Sequence, residues 1–222
     1  MMKSNGVSGF DETYWTENYS DPVSMDCVGN ATEHANYLKY LLELEYVDVS
    51  RVVDFGFGMG WLFREMLKVF LPHTAYGIEP SSWMFNIVKN KVNLKAVRSM
   101  NVKIEKMDIL TWCKSHSKNH DIFDLGICTS VFQYLSDAEI EKVLPVMARK
   151  VKYLYFTVPT NKELDRQIHE LEFKDVYAIR RSRSKYLKMI SPYFAFVSSR
   201  LLESKVHFDG SSTAFTELLF RF

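Results

Sequence analysis

From residue 51 onward, short apolar runs alternate with longer stretches whose apolar residues recur at helical spacing. Val52–Phe55 (VVDF) has the β-branched and aromatic content of a buried strand. Trp61–Leu71 (WLFREMLKVFL) reads as the helix that follows it. Thr74–Glu79 predicts a second strand, after which Pro80 and Ser81–Ser82 open a helix carrying Met84, Ile87, Val88 and Val92. Val102–Met107 predicts a third strand, with a short helix from Ile109 to about His116. Phe123–Cys128 predicts a fourth, followed by a helix over Ser136–Ala148 in which Ser136 and Glu139 have capping-box spacing. Val151–Val158 predicts a fifth. Strands of this length separated by such helices imply βαβ units and a parallel sheet.

The pattern changes at both ends. Asn161–Leu171 and about Arg183–Ile190 read as helices. Phe194–Glu203 and Ala214–Phe222 read as two strands joined by the polar turn Asp209-Gly210-Ser211-Ser212, and so short a link predicts antiparallel pairing. Ahead of residue 51 a helix opens at Asn30, its N-cap, with Glu33 three residues on and Ala35, Leu38, Leu41, Leu42 and Leu44 near helical spacing. Residues 1 to about 30 have little periodicity but carry Phe10, Tyr14, Trp15 and Tyr19. The fold class is therefore α/β, a five-stranded parallel sheet finished by an antiparallel hairpin. No repeat, low-complexity tract or glycine- and proline-rich linker divides the chain. Residues 1–46 form an N-terminal helical lid segment of the same domain as residues 47–222.

The totals suit that reading and remove some partners. A chain of 222 residues, 47% hydrophobic and 25% charged, has the length and balance of a globular domain with a sizeable core. A formal net charge of +1 supplies no global field for nucleic acid. Cys27, Cys113 and Cys128 are odd in number and lack metal-ligand spacing, so they read as reduced thiols of a cytoplasmic protein, Cys128 in the core, with no metal. No apolar run reaches membrane-span length, and MMKSNGVSGFDE lacks a signal-peptide core.

The chemistry concentrates in Arg51–Gly60, where an acid ends a strand and three glycines alternate with bulky residues (DFGFGMG). A strand, a glycine turn and a helix present free backbone N–H groups to a ligand. A nicotinamide dinucleotide turn needs a third glycine where Trp61 stands, and a triphosphate loop needs Gly-Lys-Ser/Thr, which is absent. Asp54-x-Gly56-x-Gly58-x-Gly60 instead resembles the first motif of the class I S-adenosylmethionine-dependent methyltransferases, and the resemblance runs from about Tyr19 to Phe222. It implies S-adenosyl-L-methionine as cofactor and a Rossmann-like seven-stranded, mostly parallel sheet of order 3-2-1-4-5-7-6, with helices on both faces. It implies further that Glu79, 19 residues after Gly60, accepts both ribose hydroxyls, and that Asp108 and Ile109 bind and flank the adenine. Thr129 and Ser130 would lie at the methionine end. Taken singly, Glu79 is a strand-end surface acid and Asp108 a helix N-cap.

The acceptor is less defined. The fourth strand ends in Cys-Thr-Ser rather than Asn/Asp-Pro-Pro-Tyr, no Pro-Cys pair is present, and no carboxylate stands where catechol-type enzymes hold magnesium. Val131–Leu135 resembles the Val-Leu-His-His-Leu of small-molecule methyltransferases, with Gln133 and Tyr134 replacing the histidines. Tyr14, Trp15 and Tyr19 resemble the aromatic segment that closes over the cofactor in such enzymes. Tyr19, His34, Gln133 and Tyr134 are the acceptor-side candidates, although His34 also reads as a solvated helix histidine. Arg180, Arg181, Arg183, Lys185 and Lys188 lie in a stretch free of Asp and Glu from Val176 to Leu202, either a solvated basic face or a reader of an anionic acceptor. The expectation is methyl transfer to oxygen or nitrogen of a small molecule. Methylation of protein or RNA, and cofactor binding without catalysis, are the alternatives.

Overall fold

A computed structural model describes residues 9–19, 25–91, 100–171, 173, 175–215 and 221–222. Its helices are α1 (Glu12–Asn18), α2 (Ala31–Leu44), α3 (Trp61–Phe70), α4 (Ser82–Lys91), α5 (Ile109–His116), α6 (Asp137–Lys150), α7 (Asn161–Glu170) and α8 (Arg183–Ile190). Its strands are β1 (Arg51–Phe55), β2 (Thr74–Ile78), β3 (Asn101–Glu105), β4 (Phe123–Thr129), β5 (Val151–Thr157), β6 (Phe194–Phe196) and β7 (Leu201–Ser204). They form one sheet of order β3-β2-β1-β4-β5-β7-β6. The first five strands pair in parallel, and β7 runs antiparallel between β5 and β6. This is the seven-stranded Rossmann-like order that the resemblance implied.

The strand period divides the core. Leu154 and Phe156 of β5 pack on one face with α5, α6 and α8, while Tyr153 and Tyr155 pack on the other with α2, α3 and the Val88 end of α4. A sheet buried on both faces explains why its central strands read as nearly continuous apolar runs. Among the described residues no helix is long and apolar enough to cross a membrane. The capping box of α6 is present, with Glu139 Oε2 accepting from Ser136 N at 2.7 Å.

Four expectations shift. The hairpin lies within the single strand predicted at Phe194–Glu203, because Ser198 Oγ accepts from the N–H groups of Arg200 (3.3 Å) and Leu201 (3.0 Å) and turns the chain. Phe222 exchanges backbone hydrogen bonds with Phe196, and residues 216–220 of the second predicted strand lie outside the described residues. Val92, expected on α4, also lies outside them. Helix α1 was not expected; Asp11 caps it, accepting from Tyr14 N at 2.9 Å. Leu44, expected on the apolar stripe of α2, is exposed in the last turn of that helix.

The fourth shift concerns His34. It is only 7% exposed and belongs to the inward stripe Ala31, His34, Ala35, Leu38, Leu42, so it is not a solvated histidine. Its Nε2 lies 2.8 Å from Asp26 Oδ1 and its Nδ1 bonds the Tyr155 hydroxyl.

Candidate active site

A cavity of about 1410 Å³ opens over the C-terminal ends of β1, β2, β4 and β5. Parallel α/β sheets collect ligands at that edge because loops and helix N-termini converge there. The turn after β1 has a backbone suited only to glycine. Gly56 sits at φ +111°, and a Cβ there would lie 2.8 Å from Val131 Cγ2. Gly58 and Gly60 also have positive φ. The first turn of α3 then leaves N–H groups without helical partners, pointing back toward the strand ends.

Glu79, one residue past β2, is hydrogen-bonded to this turn. It accepts from Gly58 N and from Ser81 N, each at 2.8 Å and each on a different carboxylate oxygen. Being 4% exposed, it is desolvated, and burial raises its pKa to about 7 against the pull of those two N–H groups. Asp54 is also buried. Burial and the neighbouring Glu79 charge push its pKa well up. Asp108 caps α5, its two oxygens accepting from Thr111 N and Thr111 Oγ1 at 2.8 Å, and it lines the cavity as well. Ile109 is buried beside it. Thr129 ends β4. Ser130 holds a left-handed backbone at φ +54°, uncommon for a non-glycine residue, and donates its N–H to Thr157 O at 2.9 Å. All nine of these positions line the one cavity.

Helix α1 lies across the opening. Trp15 Nε1 donates to Ser81 Oγ at 3.1 Å, Ser81 Oγ donates to Phe10 O at 2.6 Å, and the Trp15 ring lies 3.4 Å from the Cβ position of Gly58. Phe10, Tyr14, Tyr19, Tyr134 and Tyr177 meet edge to face or tilted, with Phe10 centred 4.7 Å from Tyr134 and 5.1 Å from Tyr14. Tyr134 donates to Asp175 Oδ2 at 2.6 Å, and its oxygen lies 3.1 Å from Tyr14 Oη. Burial pushes the Tyr14, Tyr19 and Tyr134 phenols up, Tyr19 to about 12. Gln133 lines the cavity at 3% exposure, and its side-chain oxygen has no partner among the described residues.

Tyr19, Gln133 and Tyr134 therefore meet at the cavity. His34 does not line it, and stands behind Asp26, which does. Asp26, Cys27 and His34 bring ligand-type atoms within 4.8 Å of one another, but Arg200 Nη1, 2.7 Å from Asp26 Oδ2, already supplies a positive charge there. The basic cluster is not unopposed. Arg181 is 5% exposed and donates to Asp137, Phe132 O and Leu135 O; Lys185 also pairs with Asp137, and Arg180 pairs with Asp165. Their acids come from α6 and α7, which a local charge count does not see. Asp175 also lines the cavity, and as a lone acid in an irregular stretch it carries no sequence pattern.

A glycine turn with positive φ, a buried two-oxygen acceptor at the next strand end and a capping acid at the third form a donor and acceptor set that fits a nucleoside bearing an amino acid. The fold is that of the class I S-adenosylmethionine-dependent methyltransferases. Residues 52–153 match a family model described as a methyltransferase domain. No curated protein matches the chain in sequence.

Solved structures share the fold. The magnesium protoporphyrin IX methyltransferase (ChlM) from Synechocystis PCC 6803 with bound SAM is 13% identical, covering 92% of this chain and 97% of its own, with a TM-score of 0.59. The plantazolicin methyltransferase BpumL in complex with a pentazolic desmethylPZN analog and SAH is 13% identical over 85% of this chain and 72% of its own, at 0.64. The small RNA methyltransferase HEN1 is 16% identical over 79% of this chain and 25% of its own, at 0.61.

Proposed function

We propose that this methyltransferase transfers its methyl group to an oxygen or nitrogen of a small molecule. Fold does not select the acceptor, since the structural relatives are named for a magnesium porphyrin, for plantazolicin and for small RNA. The observation that carries the reading is the cavity itself. At about 1410 Å³, it exceeds the ~300–1,000 Å³ usual for a single ligand, so it has room for cofactor and acceptor together. Side chains of α1 lie over its mouth, which suits an enclosed molecule better than an extended polymer. The pairing of Arg180, Arg181 and Lys185 with acids also removes most of the basic surface that RNA docking would use.

The cofactor supplies a methyl group already activated on a positively charged sulfur. The chain's work is then to hold, align and dry the reacting groups. In this reading Glu79 takes the ribose hydroxyls, Asp108 and Ile109 hold and flank the adenine, and Asp54, Gly56, Gly58 and Gly60 line the amino-acid limb. Thr129 and Ser130 border the transferred methyl, and residues 1–46 contribute the lid of a single domain. Aromatic faces from Tyr14, Trp15 and Tyr19 attract positive charge while excluding water. Tyr19, Gln133 and Tyr134 face the acceptor. His34 acts only through Asp26 and Tyr155, as a positioning residue.

The test is methyl transfer from labelled S-adenosylmethionine in a cell extract separated by a small-pore filter. Label is expected in a filtrate product that separates from S-adenosylmethionine by chromatography and that forms only when the protein is added. Label confined to acid-precipitable protein or RNA would overturn the small-molecule reading.

A further inference from the structure

We propose that the acceptor carries an amine, and that Asp175, the tyrosine faces around it and Gln133 form the pocket that holds that nitrogen. This rests on the small-molecule reading above and narrows it. Asp175 lines the cavity, and its carboxylate's partners are neutral: the Tyr134 hydroxyl at 2.6 Å, Tyr177 N at 3.1 Å and Ala178 N. Among the described residues no lysine, arginine or histidine pairs with it. Three neutral bonds still leave part of a carboxylate's acceptor capacity, about four lone-pair sites, open. A half-buried carboxylate without a counter-charge is costly unless a cation or a strong donor arrives.

The surroundings favour a cation too. The rings of Phe10, Tyr14, Tyr134 and Tyr177 form one cluster, with centroid separations from 4.7 to 5.8 Å, that Tyr134 joins to this carboxylate, and Tyr19 and Phe173 extend the group. Ring faces attract an ammonium, more strongly when water is excluded. Gln133 is an independent sign. Its backbone carbonyl is held by Ile179 N at 2.7 Å, yet its side-chain oxygen is buried with no donor among the described residues. An unmade bond to a buried acceptor costs about 1–3 kcal/mol. A ligand N–H, met by rotation of the amide, would remove that cost.

Chemistry agrees with recognition here. An ammonium must lose a proton before its nitrogen lone pair can form a bond, and the Asp175 carboxylate can accept that proton. Burial raises the Asp175 pKa, which makes it the better base. The cavity also extends along Tyr186, Leu187, Ile190, Phe196, Leu202 and Phe222, an apolar arm suited to a hydrocarbon body. Arg183 lines the cavity as well, and is the residue that would favour a carboxylate instead.

The probes are therefore 4-phenylbutylamine, 4-phenylbutanol and 4-phenylbutanoate, titrated calorimetrically into the full chain saturated with S-adenosylhomocysteine. That product carries no sulfonium, so the rings are not competing for a second cation. The amine should bind at least tenfold more tightly than the alcohol, with the carboxylate weakest. Asp175→Asn should weaken the amine about tenfold, and Gln133→Leu severalfold, while S-adenosylhomocysteine affinity changes less than threefold in either. Carboxylate binding as tight as amine binding, especially if Arg183→Ala abolishes it, would overturn the proposal. So would amine affinity indifferent to Asp175→Asn, or no amine binding by protein that holds S-adenosylhomocysteine. Failure of S-adenosylhomocysteine itself to bind would instead defeat the cofactor assignment on which the proposal stands.

Discussion

The two walls of the cavity are built on opposite principles. One, over β1, β2 and β3, is mostly main chain: a glycine turn, the open end of α3, and acids that each end a strand. The other, facing Tyr134, is mostly side chain, assembled from α1, the segment after β4 and the stretch around Asp175. A main-chain wall is rigid and specified by short-range geometry. A side-chain wall depends on segments far apart in the chain, and can change chemistry without changing the fold. That difference suits a common cofactor on one side and a particular acceptor on the other.

The division can be broken most severely at its support. Arg181 ties α8 to the post-β4 segment through Asp137 and two backbone carbonyls. Arg181→Ala takes the side-chain donor from the Phe132 and Leu135 carbonyls, while half-exposed Asp137 keeps Lys185, and should cost about 3 kcal/mol in chemical denaturation. A loss under about 1 kcal/mol would mean the acceptor wall is not held this way. On the main-chain wall, Gly56→Ala forces a Cβ to 2.8 Å from Val131 at a positive φ. Affinity for S-adenosylhomocysteine should drop ~100-fold, about 2.7 kcal/mol, with acceptor-side mutations far milder in the same assay. Trp15→Ala removes the ring over Gly58 and the bond to Ser81, and about a tenfold loss of affinity is expected. An unchanged affinity would show that α1 does not close over the cofactor.

Protonation sharpens the contrast more gently. Burial holds the Glu79 pKa near 7, raised from its ordinary value, so the acid gains its charge as pH rises through about 7. Hydroxyl recognition uses the ionised form, so affinity should fall a few-fold below pH 7, and binding near pH 7 should release protons. The stability sign is opposite. A carboxylate with a raised folded-state pKa favours the folded chain at low pH, and that contribution is lost as pH rises from about 4.5 to about 7 in the protein without cofactor. Calorimetry in buffers of different ionisation enthalpy measures the proton count; a count of zero across this range would contradict the assignment.

Legibility in the sequence followed the same division. The five parallel strands, the glycine turn and the capping box of α6 rest on patterns a few residues long, and the acids at 54, 79 and 108 could be placed by counting from them. The final hairpin was misjudged because Ser198 turns the chain through its own hydroxyl, a device that apolar periodicity conceals. His34 was buried by a helical stripe visible in principle, as Ala31, Ala35, Leu38 and Leu42 share its face. The basic stretch looked unopposed because Asp137 and Asp165 are remote in sequence. Nothing local distinguishes Asp175, whose bond from the Tyr134 hydroxyl joins residues remote in sequence. Asp11 followed by Glu12 is the N-cap and first-turn acid of a helix start, set in a stretch with little apolar periodicity.

The central claim is that the carboxylate at the end of β2 reads the cofactor from within a main-chain cradle. Calorimetric titration of S-adenosylhomocysteine into wild type and Glu79→Ala tests it most directly. Tight one-to-one binding by the wild type, weakened at least 100-fold in a Glu79→Ala protein that unfolds as cooperatively as wild type, is the predicted result. No heat of binding by the wild type, or equal affinity in the two proteins, would contradict it.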